Sequence, residues 1–266
     1  MDIDAVESRI AELERRISTV AEVSAREKLY VGVDLGTAYI VVVVVNGSGE
    51  PVACALEFAQ VVRDGLVVDY VGATQIVRRL VGQLQERLGR ELEDAAIAVP
   101  PGTGVVEGAG LNVISILDEP TAANAVLNVE NGVIVDIGGG TTGLSILENG
   151  KVTYVADEPT GGTHLTLVLA GNYGVSFEEA EKIKKDPARQ REVFTVVKPV
   201  IEKMASIINS HIRGRNVSDI YLVGGTCCLK DMETIIAKET GKPVCKPSNP
   251  FLVTPLGIAL NCVKKD

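Results

Sequence analysis

An α/β fold built from two similar halves is predicted by a pattern that occurs twice in the chain. The stretches "VGVDLGTAYIVVVVV" and "VIVDIGGGTTGLSIL" each give an apolar strand, an aspartate, a glycine turn with threonine and a second apolar strand. Their aspartates, Asp34 and Asp136, lie about 100 residues apart, and a similar order of helices and strands follows each. This internal duplication predicts two βββαβα halves that face each other across a cleft.

The N-terminal segment, residues 2 to about 25, has the pattern of one amphipathic helix. Its apolar positions alternate spacings of three and four residues, as in a heptad repeat. Those positions are Ile3, Val6, Ile10, Leu13, Ile17 and Val20. The helix either lies on the body of its own domain or serves as a dimerising coiled coil or partner-docking helix. The second alternative predicts self-association through residues 3–20.

The first half begins with three strands in "YVGVDLGTAYIVVVVVNGSGEPV", which turn at Gly36 and again at residues 46–49. An amphipathic helix in "TQIVRRLVGQLQERLGRELE" and a short buried strand in "AAIAVPPG" come next. A helical remnant, a strand to Leu117 and a helix starting near Pro120 complete this half. Proline suits the first turn of a helix, where no N–H donor is needed.

The second half repeats this order, with three strands in "NGVIVDIGGGTTGLSILENGKVTYVADEP". Helices follow in "SFEEAEKIKKD" and "VFTVVKPVIEKMASIINSHI", then a strand in "DIYLVGGTCC" and a helix from Leu229 to Glu239. The predicted domains are an N-terminal helix over 1–27, a first half over 28–130, a second half over 131–254 and a C-terminal helix over 255–266 that returns to the first half.

Composition excludes several classes of function. A net charge of −9 without a basic block argues against a nucleic-acid partner, and 4% aromatic residues without tryptophan argue against a base-stacking platform. The longest apolar run, Ile40 to Val45, is strand-sized, and the N-terminus lacks a signal-peptide pattern, so no membrane role and a cytoplasmic location are expected. Five cysteines without a CxxC indicate reduced thiols, and His164 and His211 lack a zinc-ligand spacing.

The two aspartate-glycine turns have the residues that a nucleotide site needs. Glycines allow close backbone approach, their N–H groups can form an anion nest, and Thr37, Thr141 and Thr142 add hydroxyl donors. A buried acid without a partner is costly, so Asp136 is expected to face solvent in a cleft. Two opposed turns would clamp a polyphosphate, with Asp34 and Asp136 holding Mg²⁺ through its water ligands.

A plain glycine hairpin explains "DIGGGTT" alone about as well as a phosphate cradle does. The second copy of the motif favours the cradle. Other nucleotide and hydrolase motifs are missing from the chain: it has no GxGxxG, no GxxxxGK[ST], no GxSxG and no HExxH.

Five blocks between residues 29 and 262 resemble, in order, the motifs of the actin, Hsp70 and sugar-kinase ATPase superfamily. "VGVDLGT" and "VIVDIGGGTTGLSIL" are similar to its two phosphate motifs, and "YLVGGTCCL" is similar to its adenosine motif. "LDEPTAANAV" and "NPFLVTPLGIAL" are similar to its connecting motifs. The resemblance implies a duplicated ribonuclease H-like fold of actin/Hsp70 type around a nucleotide cleft, and ATP or ADP with Mg²⁺ as cofactors.

The resemblance also assigns roles to individual residues. The catalytic positions that it implies are Asp34, Asp136, Thr141 near the terminal phosphate, and Glu119 near the metal and hinge. The binding positions that it implies are Gly36, Thr37, Gly138, Gly139, Gly140, Thr142, Glu181, Lys184, Gly224 and Gly225. Of these, Gly224 and Gly225 would approach the adenosine, and the Glu181–Lys184 pair would contact ribose and adenine. The alternative for that pair is an exposed helix salt bridge.

Three departures from the Hsp70 pattern limit what the resemblance implies. Gly143 stands where Hsp70 has an aspartate, so nucleotide binding with slow or absent hydrolysis is expected. The segment from Pro100 to Gly110 is short, either through a natural deletion or because residues are missing from the chain. Nothing corresponding to the Hsp70 peptide-binding domain follows the second connecting motif.

"FAQVVRDGLVVDYVGA" and "EPTGGTHLTLVLAG" resemble more closely an Hsp70-like family encoded with bacterial microcompartment genes of ethanolamine utilization. That implies an ATP-binding chaperone or assembly factor with pathway enzymes or shell proteins as partners, in the cytoplasm or at the microcompartment. The alternative is a nucleotide-binding scaffold of the FtsA/PilM type without significant hydrolysis. A small-molecule kinase is a third hypothesis, with Asp69 as its best candidate acid, although a surface or turn acid explains Asp69 more simply.

Overall fold

The computed structural model describes residues 2–63, 66–98 and 102–263. It divides into two compact units, Met1–Asn128 with Pro247–Asp266, and Val129–Lys246. The sequence had placed the second boundary at residue 254. The segment 247–254 lies instead in the first unit, where Ser248 and Asn249 hydrogen-bond to Glu7 and Glu14 of the N-terminal helix.

The first unit is organised around one five-stranded mixed sheet. Its elements before the second unit are α1 (Ile3–Arg16), β1 (Leu29–Leu35), β2 (Tyr39–Asn46), β3 (Pro51–Phe58), β4 (Val62–Arg63), β5 (Leu66–Val67), α2 (Tyr70–Leu88), β6 (Asp94–Ile97), α3 (Thr103–Gly108), β7 (Asn112–Ile116) and α4 (Glu119–Leu127). The strand order is β3-β2-β1-β6-β7, and β4 and β5 form a separate two-stranded sheet. Strands β1, β2 and β3 pair antiparallel, whereas β6 and β7 join in parallel.

The second unit repeats this arrangement. Its elements are β8 (Gly132–Ile137), β9 (Thr142–Glu148), β10 (Lys151–Glu158), α5 (Gly162–Tyr173), α6 (Phe177–Lys185), α7 (Gln190–Ile212), β11 (Ile220–Val223), α8 (Met232–Thr240) and β12 (Val244–Cys245). The strand order β10-β9-β8-β11-β12 is the order of the first sheet. The chain then returns to the first unit as α9 (Val253–Cys262).

Each sheet is buried by apolar side chains of its own unit. The inner strand β2 is a run of β-branched residues buried on both faces, as a strand covered by helices on each side must be. Helix α9 packs on β1, and a Cβ on Gly32 would lie 2.4 Å from the backbone nitrogen of Ala259, so glycine is needed for this contact. In the second unit Val133, Val135 and Ile137 of β8 enter a core that includes α5, α7 and α8.

The N-terminal helix is shorter than the sequence predicted. It ends at Arg16, where the Thr19 hydroxyl donates to the Arg15 carbonyl at 2.9 Å and competes with helix continuation. The Arg87 guanidinium of α2 donates to the carbonyls of Arg16 and Thr19, at 3.1 and 2.8 Å, and caps the helix end. Beyond it the chain has no regular secondary structure up to β1, and Ala21 N–H donates to the Val52 carbonyl of β3 at 2.8 Å.

The apolar stripe of α1 faces its own domain. Val6, Ile10 and Leu13 are buried, and the helix packs against β3. We therefore expect Ile10→Val to lower the free energy of unfolding by about 1 kcal/mol, because a buried methyl group is lost. Ile3→Val is the matched control, since Ile3 is 37% exposed and should change stability little. Urea denaturation of both variants measures the difference, and equal effects would contradict packing of this stripe on the domain.

Candidate nucleotide site

Asp136 lies at the end of β8 and is only 7% exposed, so the expectation that it faces solvent is wrong. Gly224 provides the room for it. A Cβ on Gly224 would lie 2.3 Å from Asp136 Oδ1 and 2.6 Å from the Ile137 carbonyl oxygen. Gly224 has φ +91° and ψ 159°, a conformation that only glycine adopts readily. Gly224 therefore packs against the aspartate, while its neighbour Gly225 is exposed.

The glycine turn, residues 138–141, joins β8 to β9. The turn is closed by a hydrogen bond from Gly138 N–H to the Thr141 carbonyl at 3.0 Å. The carbonyls of Gly138 and Gly139 accept from the first N–H groups of α5, at 3.0 and 2.8 Å. In the part of the chain that the structure describes, the N–H groups of Gly139, Gly140 and Thr141 have no backbone acceptor. The carbonyls of Gly138, Gly139 and Thr141 are thus bonded within the protein, whereas the three N–H groups are candidate donors to an anion, although Gly140 itself is buried.

Close packing against this turn requires glycines that the sequence patterns did not single out. A Cβ on Gly161 would lie 2.7 Å from the Gly139 carbonyl oxygen, and one on Gly162 would lie 2.4 Å from Thr226 Oγ1. Thr226 Oγ1 donates to the Gly138 carbonyl at 2.7 Å. The segment after β11 that carries Thr226, the glycine turn and the start of α5 are therefore held together. The adjacent glycines in "PTGGT" are the signal that could have identified this contact.

The two threonines of the turn differ in their surroundings. Thr142 is buried, and its hydroxyl donates to the Thr160 carbonyl at 2.5 Å, so it ties β9 to the loop before α5. The Thr141 hydroxyl is half-exposed and hydrogen-bonds to the carboxylate of Asp157 on β10. Of the predicted hydroxyl donors in this turn, Thr142 is committed to the fold, and Thr141 is the one exposed at the turn.

Glu181 and Lys184 form a largely buried ion pair rather than the exposed helix salt bridge that was the alternative. Lys184 Nζ lies 2.6 Å from Glu181 Oε2, and the two side chains are 17% and 12% exposed. Lys184 Nζ also donates to Thr166 Oγ1 at 2.8 Å and to the Gly162 carbonyl at 3.2 Å. The pair is thereby anchored to the first turn of α5, beside the glycine turn.

Burial and pairing shift the pKa of both members. Burial lowers the pKa of Lys184, and the Glu181 carboxylate only partly opposes this. Burial raises the pKa of Glu181, but its interactions with Lys184, Thr166 and Lys185 outweigh burial and leave the pKa below its ordinary value. Glu181 is therefore ionised at neutral pH and can accept a hydrogen bond from a ligand hydroxyl.

The corresponding turn of the first unit follows β1. Asp34, Gly36 and Thr37 are all half-buried there, and a Cβ on Gly36 would lie 2.8 Å from the Tyr39 carbonyl oxygen. Asp34 is opposite Val41 in the ladder, just as Asp136 is opposite Gly143. Glu119 is the first residue of α4, whose N-cap is Asp118. These residues keep their predicted positions at strand and helix ends within the first unit.

Metal binding would have to rest on few protein ligands. Among residues 2–63, 66–98 and 102–263, no group of three or more His, Cys, Asp or Glu side chains is placed to hold a metal ion. A single carboxylate at the end of β8 suits Mg²⁺, which keeps most of its waters and binds through one or two carboxylates with phosphate oxygens.

The helices in the described part of the chain include none with the length and apolar composition of a membrane span.

Similarity to known proteins identifies the family. The chain is 47% identical to the ethanolamine utilization protein EutJ of Escherichia coli strain K12, over 87% of this chain and 85% of that protein. The chain belongs to the EutJ family. The crystal structure of EutJ from Carboxydothermus hydrogenoformans superposes with a TM-score of 0.92 at 49% identity, covering 98% of this chain and 99% of the other. The family model of the type IV pilus assembly protein PilM matches residues 121–257.

The predicted fold class is confirmed. Besides EutJ, the ADP-bound structure of MreB5 from Spiroplasma citri shares the fold, with a TM-score of 0.66 at 16% identity, covering 86% of this chain and 94% of that one. Two five-stranded sheets with the same strand order are the duplicated α/β architecture of the actin and Hsp70 superfamily. The chain is thus a EutJ-family protein with an actin/Hsp70-like fold.

Proposed function

We propose that the chain binds ATP and ADP through the glycine turn of its second unit. The observation that carries this proposal is the turn itself, whose carbonyls are bonded inward while the N–H groups of 139–141 have no backbone acceptor among the described residues. Successive backbone donors without a backbone acceptor can form a nest that favours phosphate oxygens. The fold neighbour MreB5 was solved with ADP, which supports the choice of an adenine nucleotide.

The buried pair on α6 completes the proposed subsite. The ionised Glu181 can accept from a ribose hydroxyl, and Lys184 holds Glu181 and the start of α5 in place. Gly224 allows Asp136 to remain next to the turn. Asp136 would hold Mg²⁺ through water, and the ion would neutralise charge on the phosphates. Asp34, Gly36, Thr37 and Glu119 stay predictions for the first unit, to be tested by Asp34→Asn.

Calorimetric titration with Mg-ATP, Mg-ADP and ATP in EDTA tests the proposal. We expect the wild-type protein to bind both nucleotides, and Asp136→Asn to weaken Mg-ATP binding by about 10- to 100-fold, in the range seen when groups that orient a metal are removed. The matched control is Asp219→Asn, because Asp219 lies before β11, at the opposite end of the same parallel strands. Absence of any heat of nucleotide binding in the wild type would refute the proposal.

The role that fits such a protein is a nucleotide-dependent chaperone or assembly factor for ethanolamine-utilization enzymes or shell proteins, with association to the microcompartment. Nucleotide can control a partner only by binding one conformation better than another. The second candidate is a PilM-like scaffold without significant hydrolysis. Two observations favour it, the match of the PilM family model and the glycine at position 143. Turnover measured on the titrated sample separates the two candidates.

The small-molecule kinase hypothesis is weakened, because Asp69, its best candidate for a catalytic acid, has a structural role. The Asp69 carboxylate accepts from Gly72 N–H at 2.9 Å and caps α2, so it is a helix N-cap.

From the apolar stripe within residues 3–20, the exposed side chains of Ile3 and Ile17 remain available for self-association, because the stripe between them is buried. Size exclusion of wild type and of Ile3→Gln/Ile17→Gln, with and without Mg-ATP, tests whether the exposed residues at the two ends of α1 join two copies.

A further inference from the structure

The strands of the second unit bring an unassigned carboxylate to the glycine turn. Asp136 of β8 is directly opposite Gly143 of β9, and Gly143 is directly opposite Asp157 of β10. Residues directly opposite in antiparallel strands share one face of the sheet. The two aspartates therefore lie in one row on the same face, with their Cα atoms separated by two strand spacings, about 10 Å.

The position between them is open. Gly143 has no side chain, and a Cβ there would meet nothing within 4 Å. This is the position at which the Hsp70 pattern has an acid. In the row across the sheet, its neighbour on β10 is the acid Asp157. The acid that the Hsp70 pattern has on β9 is therefore absent, and Asp157 is an acid at the paired position of the adjacent strand.

Asp157 acts on a specific neighbour. Its carboxylate accepts a hydrogen bond from the Thr141 hydroxyl, and Asp157 itself is a solvent-exposed residue of β10. A hydroxyl has one proton to donate and two lone pairs that accept. When the Thr141 proton is committed to Asp157, the Thr141 oxygen can serve only as an acceptor. An acceptor suits a water molecule, which has protons to donate, and does not suit a phosphate oxygen.

We propose that Asp157 is a positioning residue for ATP hydrolysis, which orients the Thr141 hydroxyl so that its oxygen holds the attacking water. The proposal rests on nucleotide binding at the turn. In the reaction the water oxygen bonds to the terminal phosphorus, and the bond from that phosphorus to the bridging oxygen breaks. ADP leaves with that electron pair, and the water proton passes to the released phosphate. Although Asp157 is exposed as a whole residue, desolvation of its carboxyl group raises its pKa, and the hydrogen bond from Thr141 opposes this shift.

Turnover and binding measured on the full chain test this role. Asp157→Ala should lower the kcat for ATP at least about 10-fold and leave the Kd for Mg-ATP within about 3-fold, because an oriented nucleophile is lost without loss of a phosphate contact. Asp157→Asn should keep kcat within about 3-fold of wild type, since its amide oxygen still accepts the Thr141 proton. In a Thr141→Val background, Asp157→Ala should change kcat less than about 2-fold, as expected for coupled residues.

Glu148→Gln is the matched control, because Glu148 is an acid at the far end of the same hairpin, opposite Lys151. Equal kcat for wild type and Asp157→Ala, including no turnover in either, would overturn the proposal while leaving nucleotide binding intact. Equal loss in Asp157→Asn and Asp157→Ala would overturn it too, since the charge rather than the acceptor would then matter. Absence of nucleotide binding in the wild type would refute the proposed function instead. Thermal unfolding checks that each variant is folded.

Discussion

Gly224→Ala is expected to lower the free energy of unfolding of the second unit by about 4 kcal/mol. The backbone conformation at Gly224, φ +91° and ψ 159°, costs a residue with a side chain about 1–3 kcal/mol. The new Cβ would also lie 2.3 Å from Asp136 Oδ1 and 2.6 Å from the Ile137 carbonyl oxygen. Relieving such overlaps costs a further 1–3 kcal/mol, and the carbonyl cannot move without disturbing β8.

Gly241→Ala is the control that separates the two contributions. Gly241 has φ +65° in the left-handed region, and a Cβ there would meet nothing within 4 Å. Its replacement should therefore cost only the conformational penalty, about 1 kcal/mol. Urea denaturation of both variants gives the comparison, and the Mg-ATP affinity of Gly224→Ala should fall with it because Asp136 is displaced. Similar losses of stability in the two variants would mean that the contact with Asp136 carries no free energy.

The sequence predicted the architecture well because its signals are local. Apolar strands with glycine turns occur twice, and both copies form the predicted ladders, with Asp34 and Asp136 near the ends of their central strands. Helix α2 likewise begins and ends at local signals, since Asp69 caps its first turn and Gly89 takes the left-handed conformation at its end.

The predictions failed where a residue distant in the sequence determines the local structure. Helix α1 stops at Arg16 because Arg87, about 70 residues away in sequence, binds the carbonyls at that end. Helix α5 was not predicted from its own apolar sequence, and its first N–H groups are satisfied by carbonyls of the glycine turn. The burial of Asp136 depends on the missing Cβ of Gly224, which no spacing in the sequence reveals.

The contact of Asp157 with Thr141, and with it the pKa of Asp157, also depends on a feature that sequence patterns do not reveal, the register of β10 against β9. Register places residue 157 opposite residue 143, although the β10–β9 ladder is irregular between Val152 and Tyr154. A one-residue slip would put Asp157 on the other face of the sheet. The irregularity lies before Asp157 in the strand, so the register that follows it fixes which face carries the carboxylate.

Glu181→Gln is expected to lower the free energy of unfolding by about 3 kcal/mol, because it leaves the Lys184 ammonium buried without its counter-charge. The remaining partners of Lys184, Thr166 Oγ1 and the Gly162 carbonyl, are neutral. Glu179→Gln on the same helix is the control: its partner Lys182 has the same i,i+3 spacing, but the Nζ–Oε2 distance is 3.4 Å and the side chains are 52% and 76% exposed. An exposed pair of this kind should contribute less than about 0.5 kcal/mol.

The effect of Glu181→Gln should also depend on pH in a direction fixed by the pKa of Glu181. Folding lowers that pKa below its ordinary value of 4.5. The stabilisation is therefore fully present above pH 4.5 and is lost as the pH falls through the lower pKa of the folded state. Denaturation of wild type and variant at pH 7 and at successively lower pH should show a gap that narrows below about pH 4.5. A gap that is constant across this range would mean that the stability comes from packing of the side chain, not from its charge.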